Sequence, residues 1–359
     1  MKRRHFLKNS AWVVPSAAAL GSSSWLKDSK QKIAPVVIDG MGEIRIDYPM
    51  DLLSEVISSG TTAVQVTVGN PNLHGPEAAE DALNELAAYE HHIDSNRDYL
   101  LKATRVADID RARREKKLAL MYLFQNTSPL ADDLEKLTFF YALGVRCIQL
   151  TYNSRNLVGD GCTERTDCGI SDFGLRVISR MNEMGMLIDL SHAGTRTMNE
   201  AIAFSRQPVI ISHGGCKAVY ENSRTSTDKN IRALAEKGGV IGIFQINPNL
   251  GPKERNTLYD YLNHIDHVAN IAGVEHVGIG SDREHKTIPD TEDERRRLEA
   301  EMARVSDKKI HWPFFLSELN HPRRMETIRD GLKKRGHTQH DIDKIMGGNF
   351  YRVFKDIIG

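Results

Sequence analysis

The chain of 359 residues has little cysteine and no net charge. Its four cysteines, Cys147, Cys162, Cys168 and Cys216, form no Cys-x-x-Cys pair, which argues against a structural zinc site or a disulfide scaffold. Only Cys162 and Cys168, close together in a polar loop, could pair in an oxidising compartment. Lysine plus arginine number 48, as do aspartate plus glutamate, so the basic excess of a nucleic-acid binder is absent. A hydrophobic content of 40% indicates a globular protein with a substantial core.

Long hydrophobic runs are also absent, although a membrane-spanning helix needs about 20 apolar residues. The N-terminus instead has the basic start KRRHFLK at residues 2–8, followed by a short, mostly apolar segment at residues 11–20. This order is typical of an export signal, and Arg3-Arg4 resembles a twin-arginine signal. We therefore expect a signal and short linker over residues 1–30, no integral membrane span, and a periplasmic or secreted protein. Residues 31–359 are expected to form a single domain.

Short apolar, β-branched runs alternate with longer amphipathic stretches, and this alternation predicts βα units around a parallel sheet. The eight apolar runs lie at residues 35–40, 63–68, 118–124, 145–151, 187–190, 208–212, 239–246 and 276–281. Eight such units within about 250 residues favour a TIM (β/α)8 barrel. A doubly wound open sheet would require a glycine-rich phosphate turn, and Asp39-Gly40-Met41-Gly42 is a poor match to one.

Functional side chains of such barrels follow the carboxyl ends of the strands. Those positions hold Met41, Glu43, Gln125, Tyr152, His192, His213, Gln245 and Asp282. Two successive strands end in the same dipeptide, Ser-His, and an aspartate closes the eighth strand. Because neutral imidazoles and a carboxylate are the groups that a hydrolytic metal site needs, this end of the barrel is predicted to hold the active site.

Five segments together resemble the membrane (renal-type) dipeptidase family, peptidase family M19. They are NEMGMLIDLSH at 182–192, PVIISH at 208–213, NSR at 222–224, GIGSD at 278–282 and MGGNFYR at 346–352. The segments occur in the family's order and spacing, and the resemblance covers residues 35–356. It implies a metallo-dependent-hydrolase-like barrel that holds two zinc ions and hydrolyses dipeptides. It also implies a homodimer as one form of assembly.

The resemblance assigns a role to four residues whose identity is retained. His192 and His213 match the two histidines that bind one zinc ion of the pair. Arg224 matches the arginine that binds the substrate carboxylate, a role that suits a bidentate guanidinium. Asp282 matches the aspartate that transfers protons beside the metals.

Four other residues depart from the family pattern. The family's His-x-Asp after the first strand is Met41-Gly42-Glu43 in this chain, its metal-bridging glutamate is Gln125, and a histidine that steadies the reaction intermediate is Tyr152. A thioether and a neutral amide are poor ligands for a zinc site built from oxygen and nitrogen donors. We therefore expect a divergent bacterial member that holds one zinc ion, with a second ion and a metal-free site as the two alternatives.

The remaining ligands of that ion are left open by the sequence. His192 and His213 are expected to hold it, with Gln125, Glu43, Asp282 or water completing the site. Tyr152 is expected to contact the substrate or take part in catalysis.

Three functions are compatible with these residues. The first is a dipeptidase-like metallohydrolase that acts on a dipeptide or related small amide. The second is an exported lyase or dehydratase of a small or sugar-derived acid, because Tyr152, the two histidines and Arg224 suit proton abstraction next to a carboxylate. The third is a non-catalytic relic of the family. Membership of the family favours the first.

An insertion follows the eighth predicted strand at residues 286–313. It contains the charge-rich run EDERRRLEAEMAR at residues 292–304, which indicates an exposed helix with ion pairs along its surface. Because the insertion starts at the carboxyl end of a strand, it is expected to form a rim or lid over the barrel mouth.

Overall fold

The computed structural model describes residues 34–303 and 312–359, and these contain a closed barrel of parallel strands. The strands are β1 (Ile38–Asp39), β2 (Ala63–Thr67), β3 (Leu100–Lys102), β4 (Leu118–Phe124), β5 (Val145–Gln149), β6 (Leu187–Asp189), β7 (Ile210–Cys216), β8 (Thr225–Ser226), β9 (Val240–Ile243) and β10 (Val277–Ile279). Eight of them form the barrel in the order β1-β2-β4-β5-β6-β7-β9-β10, and β10 pairs with β1 to close it. The short strands β3 and β8 pair with β4 and β7.

The predicted TIM barrel is confirmed, since each of the eight apolar runs overlaps one barrel strand. One boundary differs from the expectation. The sixth run was expected to end at residue 212, whereas β7 continues to Cys216 because Gly215 and Cys216 pair with β8. His213 therefore lies within a strand, and its backbone is fixed by the sheet.

Helices surround the barrel, as the amphipathic stretches predict. Within the described residues they are α1 (Met50–Ser58), α2 (Gly75–Ser95), α3 (Val106–Glu115), α4 (Glu135–Ala142), α5 (Asp172–Met184), α6 (Thr195–Phe204), α7 (Asp228–Glu236), α8 (Leu258–Ala272), α9 (Glu292–Ala303), α10 (Arg324–Lys334), α11 (Gln339–Asp343) and α12 (Asn349–Ile358). Local sequence sets their ends: the Ser171 side chain accepts a hydrogen bond from the Gly174 N–H at the start of α5, and Gly185 ends that helix with a φ of 66°.

The apolar core consists of two clusters. The larger one joins barrel strands to the surrounding helices, and the smaller one joins side chains of the barrel strands to side chains of α3 and α12. Phe350 of α12 packs so closely on Gly40 and Gly278 that a Cβ at these glycines would lie 2.4 and 2.6 Å from its ring. This contact explains the two glycines and fixes α12 against the barrel.

Several expectations concern segments outside the barrel. The predicted export signal, and residues 304–311 of the predicted lid, lie outside the described residues. Helix α9 follows β10. Its Arg297 Nη2 lies 3.7 Å from Glu284 Oε1, and its Leu298 is buried. The function of this segment as a lid stays a prediction. All four cysteines lie in the described part of the chain and are free thiols, so Cys162 and Cys168 are not paired there. None of the described helices has the length and hydropathy needed to cross a bilayer.

Candidate active site

His192 and His213 converge at the carboxyl end of the barrel. Their Nε2 atoms are 2.9 Å apart, and their rings meet edge to face at 67°. Burial, together with the positive charge of Arg224, lowers the pKa of both imidazoles well below the ordinary histidine value. Both side chains are therefore neutral at physiological pH, which is the form that binds a metal ion.

Hydrogen bonds determine which nitrogen of His213 carries the proton. The Ser212 hydroxyl donates to Asp189 Oδ2 at 2.5 Å and lies 2.8 Å from His213 Nδ1. Because the hydroxyl proton is used on the carboxylate, Ser212 must accept from His213 Nδ1–H. His213 Nε2 then has a lone pair directed at His192, as metal-binding histidines require.

His192 is held by three neighbours. Its Nδ1 lies 2.7 Å from Asn153 Oδ1 and 3.1 Å from Arg224 Nε, and its ring stacks on Tyr152 with the centroids 4.3 Å apart. When Nδ1 donates to Asn153, two unprotonated Nε2 atoms face each other, an arrangement that a cation between them stabilises. When Nδ1 accepts from Arg224, the proton lies on Nε2 and bonds to His213. In the first arrangement the pair offers two nitrogen ligands to one metal ion, whereas in the second the two histidines bond to each other.

Backbone strain is concentrated at this site. The described residues include five non-glycine residues with positive φ, and three are Asn153 (57°), His192 (60°) and Asp282 (55°). Such conformations cost free energy and persist where the surrounding structure imposes them, often at functional sites. The three residues follow β5, β6 and β10, so the strained positions lie together at the barrel mouth although they are far apart in the sequence.

Asp282 completes the group of side chains around the histidines. Its Oδ1 is 4.0 Å from His213 Nε2. The preceding residue, Ser281, donates its N–H and its hydroxyl to the buried Asp39, at 2.8 and 2.5 Å. Asp39 also contacts His285 Nε2 at 2.9 Å. The loop that carries Asp282 is thus fixed from beneath by a buried carboxylate.

Arg224 contributes the cationic group. Its side chain lines a cavity of about 140 Å³ together with His192 and His213. Its Nη2 is buried and has no hydrogen-bond partner among the described residues, so the guanidinium retains an unused donor. A carboxylate is the natural acceptor for such a guanidinium.

The opposite side of the mouth carries the residues that depart from the family pattern. Met41, Glu43 and Gln125 are all buried, with 2%, 6% and 8% of their surfaces exposed. Gln125 Nε2 donates to Thr67 Oγ1 at 2.7 Å, and the Thr67 side chain in turn hydrogen-bonds the Glu43 carboxylate. Burial raises the pKa of Glu43 to about 7, against the opposing effects of Arg45 and Thr67.

These donors do not fit a second metal ion. Met41 offers a thioether and Gln125 an amide already bonded to Thr67. Across the described residues no three histidine, cysteine, aspartate or glutamate side chains are grouped to hold a metal, so the histidine pair supplies two ligands without a third side chain in place. The structure brings His192 and His213 together with Asp282 nearby, whereas Gln125 and Glu43 are joined to each other through Thr67. Metal binding by the latter two stays a prediction.

Sequence reasoning missed the residues that hold the site in place. Asn153, Asp189 and Asp39 contact the site residues or those beside them. A sequence signal did exist for the two aspartates, because each ends a barrel strand, and the serine it binds directly precedes a predicted site residue.

The closed barrel and the polar side chains at its carboxyl end are typical of metallo-dependent hydrolases. The family model of the membrane dipeptidases, peptidase family M19, matches residues 34–309. The chain belongs to the membrane dipeptidase family, which confirms the resemblance seen in the sequence.

Individual relatives agree with this membership. The dipeptidase verJ from Clonostachys rogersoniana is 30% identical over 246 residues, 68% of this chain and 56% of that protein. An uncharacterized dipeptidase from Schizosaccharomyces pombe is 35% identical over 176 residues, 47% of this chain and 42% of that protein. The chain thus spans about half the length of these curated relatives. The crystal structure of an amidohydrolase from Pseudomonas aeruginosa is 29% identical, has a TM-score of 0.79, and covers 90% of this chain and 96% of its own.

Proposed function

We propose that this protein is a dipeptidase-like metallohydrolase that cleaves a dipeptide or a related small amide with one bound zinc ion. The observation that carries the proposal is the pair of Nε2 atoms, 2.9 Å apart, beside a guanidinium whose Nη2 has no partner in the described residues. One group can hold a metal and the other can hold a carboxylate. Membership of the dipeptidase family and the names of the curated relatives support the same reaction.

Each side chain of the site has a role in this reaction. His192 and His213 would hold the ion, which when bound supplies Lewis acidity and a lowered pKa for water. Arg224 binds the substrate carboxylate and so orients the scissile amide in the cavity. Asp282, 4.0 Å from His213 Nε2, accepts the proton of the attacking water and returns it to the leaving amine. Tyr152 stacks on His192, and we assign it a contact with the substrate from that position.

The lyase alternative relies on Tyr152 as a base next to a carboxylate held by Arg224. No relative reported above is named as a lyase, whereas two are named as dipeptidases. Family membership likewise favours a hydrolase over a non-catalytic relic. Hydrolysis is therefore the reaction that these findings support best.

Metal analysis of the purified protein, followed by turnover assays on a panel of L,L- and L,D-dipeptides, tests the proposal. We expect about one zinc ion per chain and release of free amino acids. The His192→Ala variant should lose both the zinc ion and the turnover. His91→Ala, on the exposed surface of α2, is the matched control and should keep both. Absence of turnover across the panel by the metal-loaded protein would overturn the proposal. An unsaturated product detected by ultraviolet absorbance would instead identify a lyase.

The proposal also includes export and assembly. The basic and apolar segments at residues 2–20 support a periplasmic or secreted protein, and the resemblance to the family supports a homodimer. Cell fractionation with and without an Arg3→Lys, Arg4→Lys substitution tests the export route. Light scattering of the purified protein measures the number of chains.

A further inference from the structure

Glu43 presents a buried carboxylate oxygen that accepts no hydrogen bond from the described residues. The residue is 6% exposed, and its Oε2 has no hydrogen-bond donor. The nearest cation is Arg45, whose Nη1 lies 3.5 Å away, beyond the length of a good hydrogen bond. A buried carboxylate without a donor is costly, so a ligand that supplies one would gain affinity.

The hydrogen bonds beside Glu43 run from Gln125 to Thr67 and from Thr67 to Glu43. Gln125 Nε2 donates to Thr67 Oγ1 at 2.7 Å, and the Thr67 side chain hydrogen-bonds Glu43. Because Thr67 accepts from Gln125, its own proton is available for the carboxylate. One N–H of the Gln125 amide is used on Thr67, and the carbonyl oxygen of that amide remains as an acceptor. The side chains therefore offer acceptors, which suit a cationic group with several N–H bonds.

Glu43 lies beside the segment that carries Asp282. The Asp282 N–H donates to the Met41 carbonyl at 3.0 Å, and the Glu43 N–H donates to the Arg283 carbonyl at 3.0 Å. Asp282 in turn is 4.0 Å from His213 Nε2. Glu43 therefore belongs to the same mouth as the histidines, but it lies on the β1 side, whereas Arg224 lies beside β7.

We propose that Glu43, with Thr67 and Gln125, binds the α-ammonium group of the substrate directly, where the family carries its first metal ion. The inference rests on the proposed function, in which Arg224 binds the carboxylate at the other end of the substrate. A dipeptide is a zwitterion, so it carries a carboxylate for Arg224 and an ammonium group that can donate to Glu43. The substrates are therefore short peptides with a free amino terminus.

Arg45 is the alternative counter-ion of Glu43. Its side chain is 39% exposed, and the carboxylates of Glu85 and Glu284 also contribute to its electrostatic environment. If Arg45 alone neutralised Glu43, a substrate ammonium would gain nothing there. If the ammonium site exists, Arg45 competes with it, so removal of Arg45 should strengthen binding. The two explanations thus predict opposite effects of one substitution.

The experiment compares alanyl-alanine with N-acetyl-alanyl-alanine, which lacks the ammonium charge. Calorimetry on the metal-free protein measures Kd, and steady-state kinetics on the metal-loaded protein measures KM and kcat. We expect the wild type to prefer the free peptide by about 10- to 100-fold, as for a hydrogen bond to a charged group. Glu43→Gln should remove this preference, and Arg45→Gln should tighten binding of the free peptide alone. Glu183→Gln on the exposed face of α5 is the matched control.

The outcomes separate this inference from the proposed function. Turnover of both peptides with no preference, or an unchanged preference in Glu43→Gln, overturns the ammonium site and leaves the hydrolase intact. A preference in binding with no turnover of any amide supports the ammonium site and overturns the hydrolase. A second metal ion that Glu43→Gln removes also overturns the inference. Should Glu43→Gln fail to fold, Thr67→Val and Arg45→Gln test the same contact from its two sides.

Discussion

Asp189 on β6 binds Ser212 on the neighbouring β7 through two hydrogen bonds, from the backbone N–H at 2.9 Å and from the hydroxyl at 2.5 Å. Asp39 on β1 binds Ser281 after β10 in the same way, at 2.8 and 2.5 Å. Each serine directly precedes a residue of the candidate site. Two buried carboxylates thus position both sides of the site by the same contact between adjacent strand ends.

Ser212→Ala tests the first of these contacts. The substitution removes the hydroxyl that accepts from His213 Nδ1–H, so the tautomer with an unprotonated Nε2 is no longer favoured. Loss of such a partner typically weakens metal binding by about 10- to 100-fold. We expect that decrease in zinc affinity, measured by competition with a chelating indicator. Ser54→Ala, on the exposed side of α1, should leave the affinity unchanged; equal affinities in the two variants would contradict the tautomer argument.

Arg224→Gln tests carboxylate recognition. The substitution keeps a polar side chain but removes the charge whose Nη2 lies unpartnered beside the cavity. A hydrogen bond to a charged group contributes about 1.5–3 kcal/mol, so KM for a free dipeptide should rise by about 10- to 150-fold. Peptides with an amidated C-terminus are the internal control, because they lack the charge that Arg224 recognises. A rise in KM of equal size for both substrates would assign Arg224 a structural role instead.

The barrel could be predicted from the sequence because strand and helix periodicities differ and because each apolar run is bounded by polar residues. His192, His213 and Asp282 were predicted for the same reason, since they directly follow those runs and the carboxyl ends of parallel strands share one edge. The predicted end of β7 was wrong because the last residues of this strand pair with β8, which comes later in the sequence.

Other parts of the site depend on side-chain geometry that no spacing shows. The role of Asn153 rests on a left-handed backbone conformation that brings its Oδ1 to 2.7 Å from His192. The absence of a hydrogen bond to Glu43 Oε2 depends on where Thr67 and Arg45 lie around the carboxylate. Both features require three-dimensional neighbours, and so a sequence pattern could identify the residues without showing what they contact.

The metal count can be changed by restoring the family pattern. The resemblance implies that Met41, Glu43 and Gln125 replace a histidine, an aspartate and a glutamate that bind metal. The triple variant Met41→His, Glu43→Asp, Gln125→Glu should therefore bind about two divalent ions per chain, against about one for the wild type. Metal content after dialysis, measured by mass spectrometry, gives the count. A single ion in the triple variant would show that these three positions do not by themselves determine occupancy.

The pH dependence of stability provides a test of Glu43 that needs no ligand. Burial raises its pKa in the folded protein from the ordinary value of 4.5 to about 7. Between these values the folded state holds a proton that the unfolded state has released, so this carboxyl group favours folding at low pH and loses that contribution as the pH rises through 7. Glu43→Gln removes the titration.

The free energy of unfolding of Glu43→Gln should therefore rise relative to the wild type between pH 4.5 and 7.5. The expected change is about 3 kcal/mol, from 1.36 kcal/mol for each pKa unit. Urea denaturation of both proteins in the presence of a chelator measures it, and Glu183→Gln, on the exposed surface of α5, controls for the loss of one carboxylate. A difference that stays constant over this pH range would mean that the Glu43 carboxylate is charged in the folded protein throughout, with Arg45 as its sufficient counter-ion.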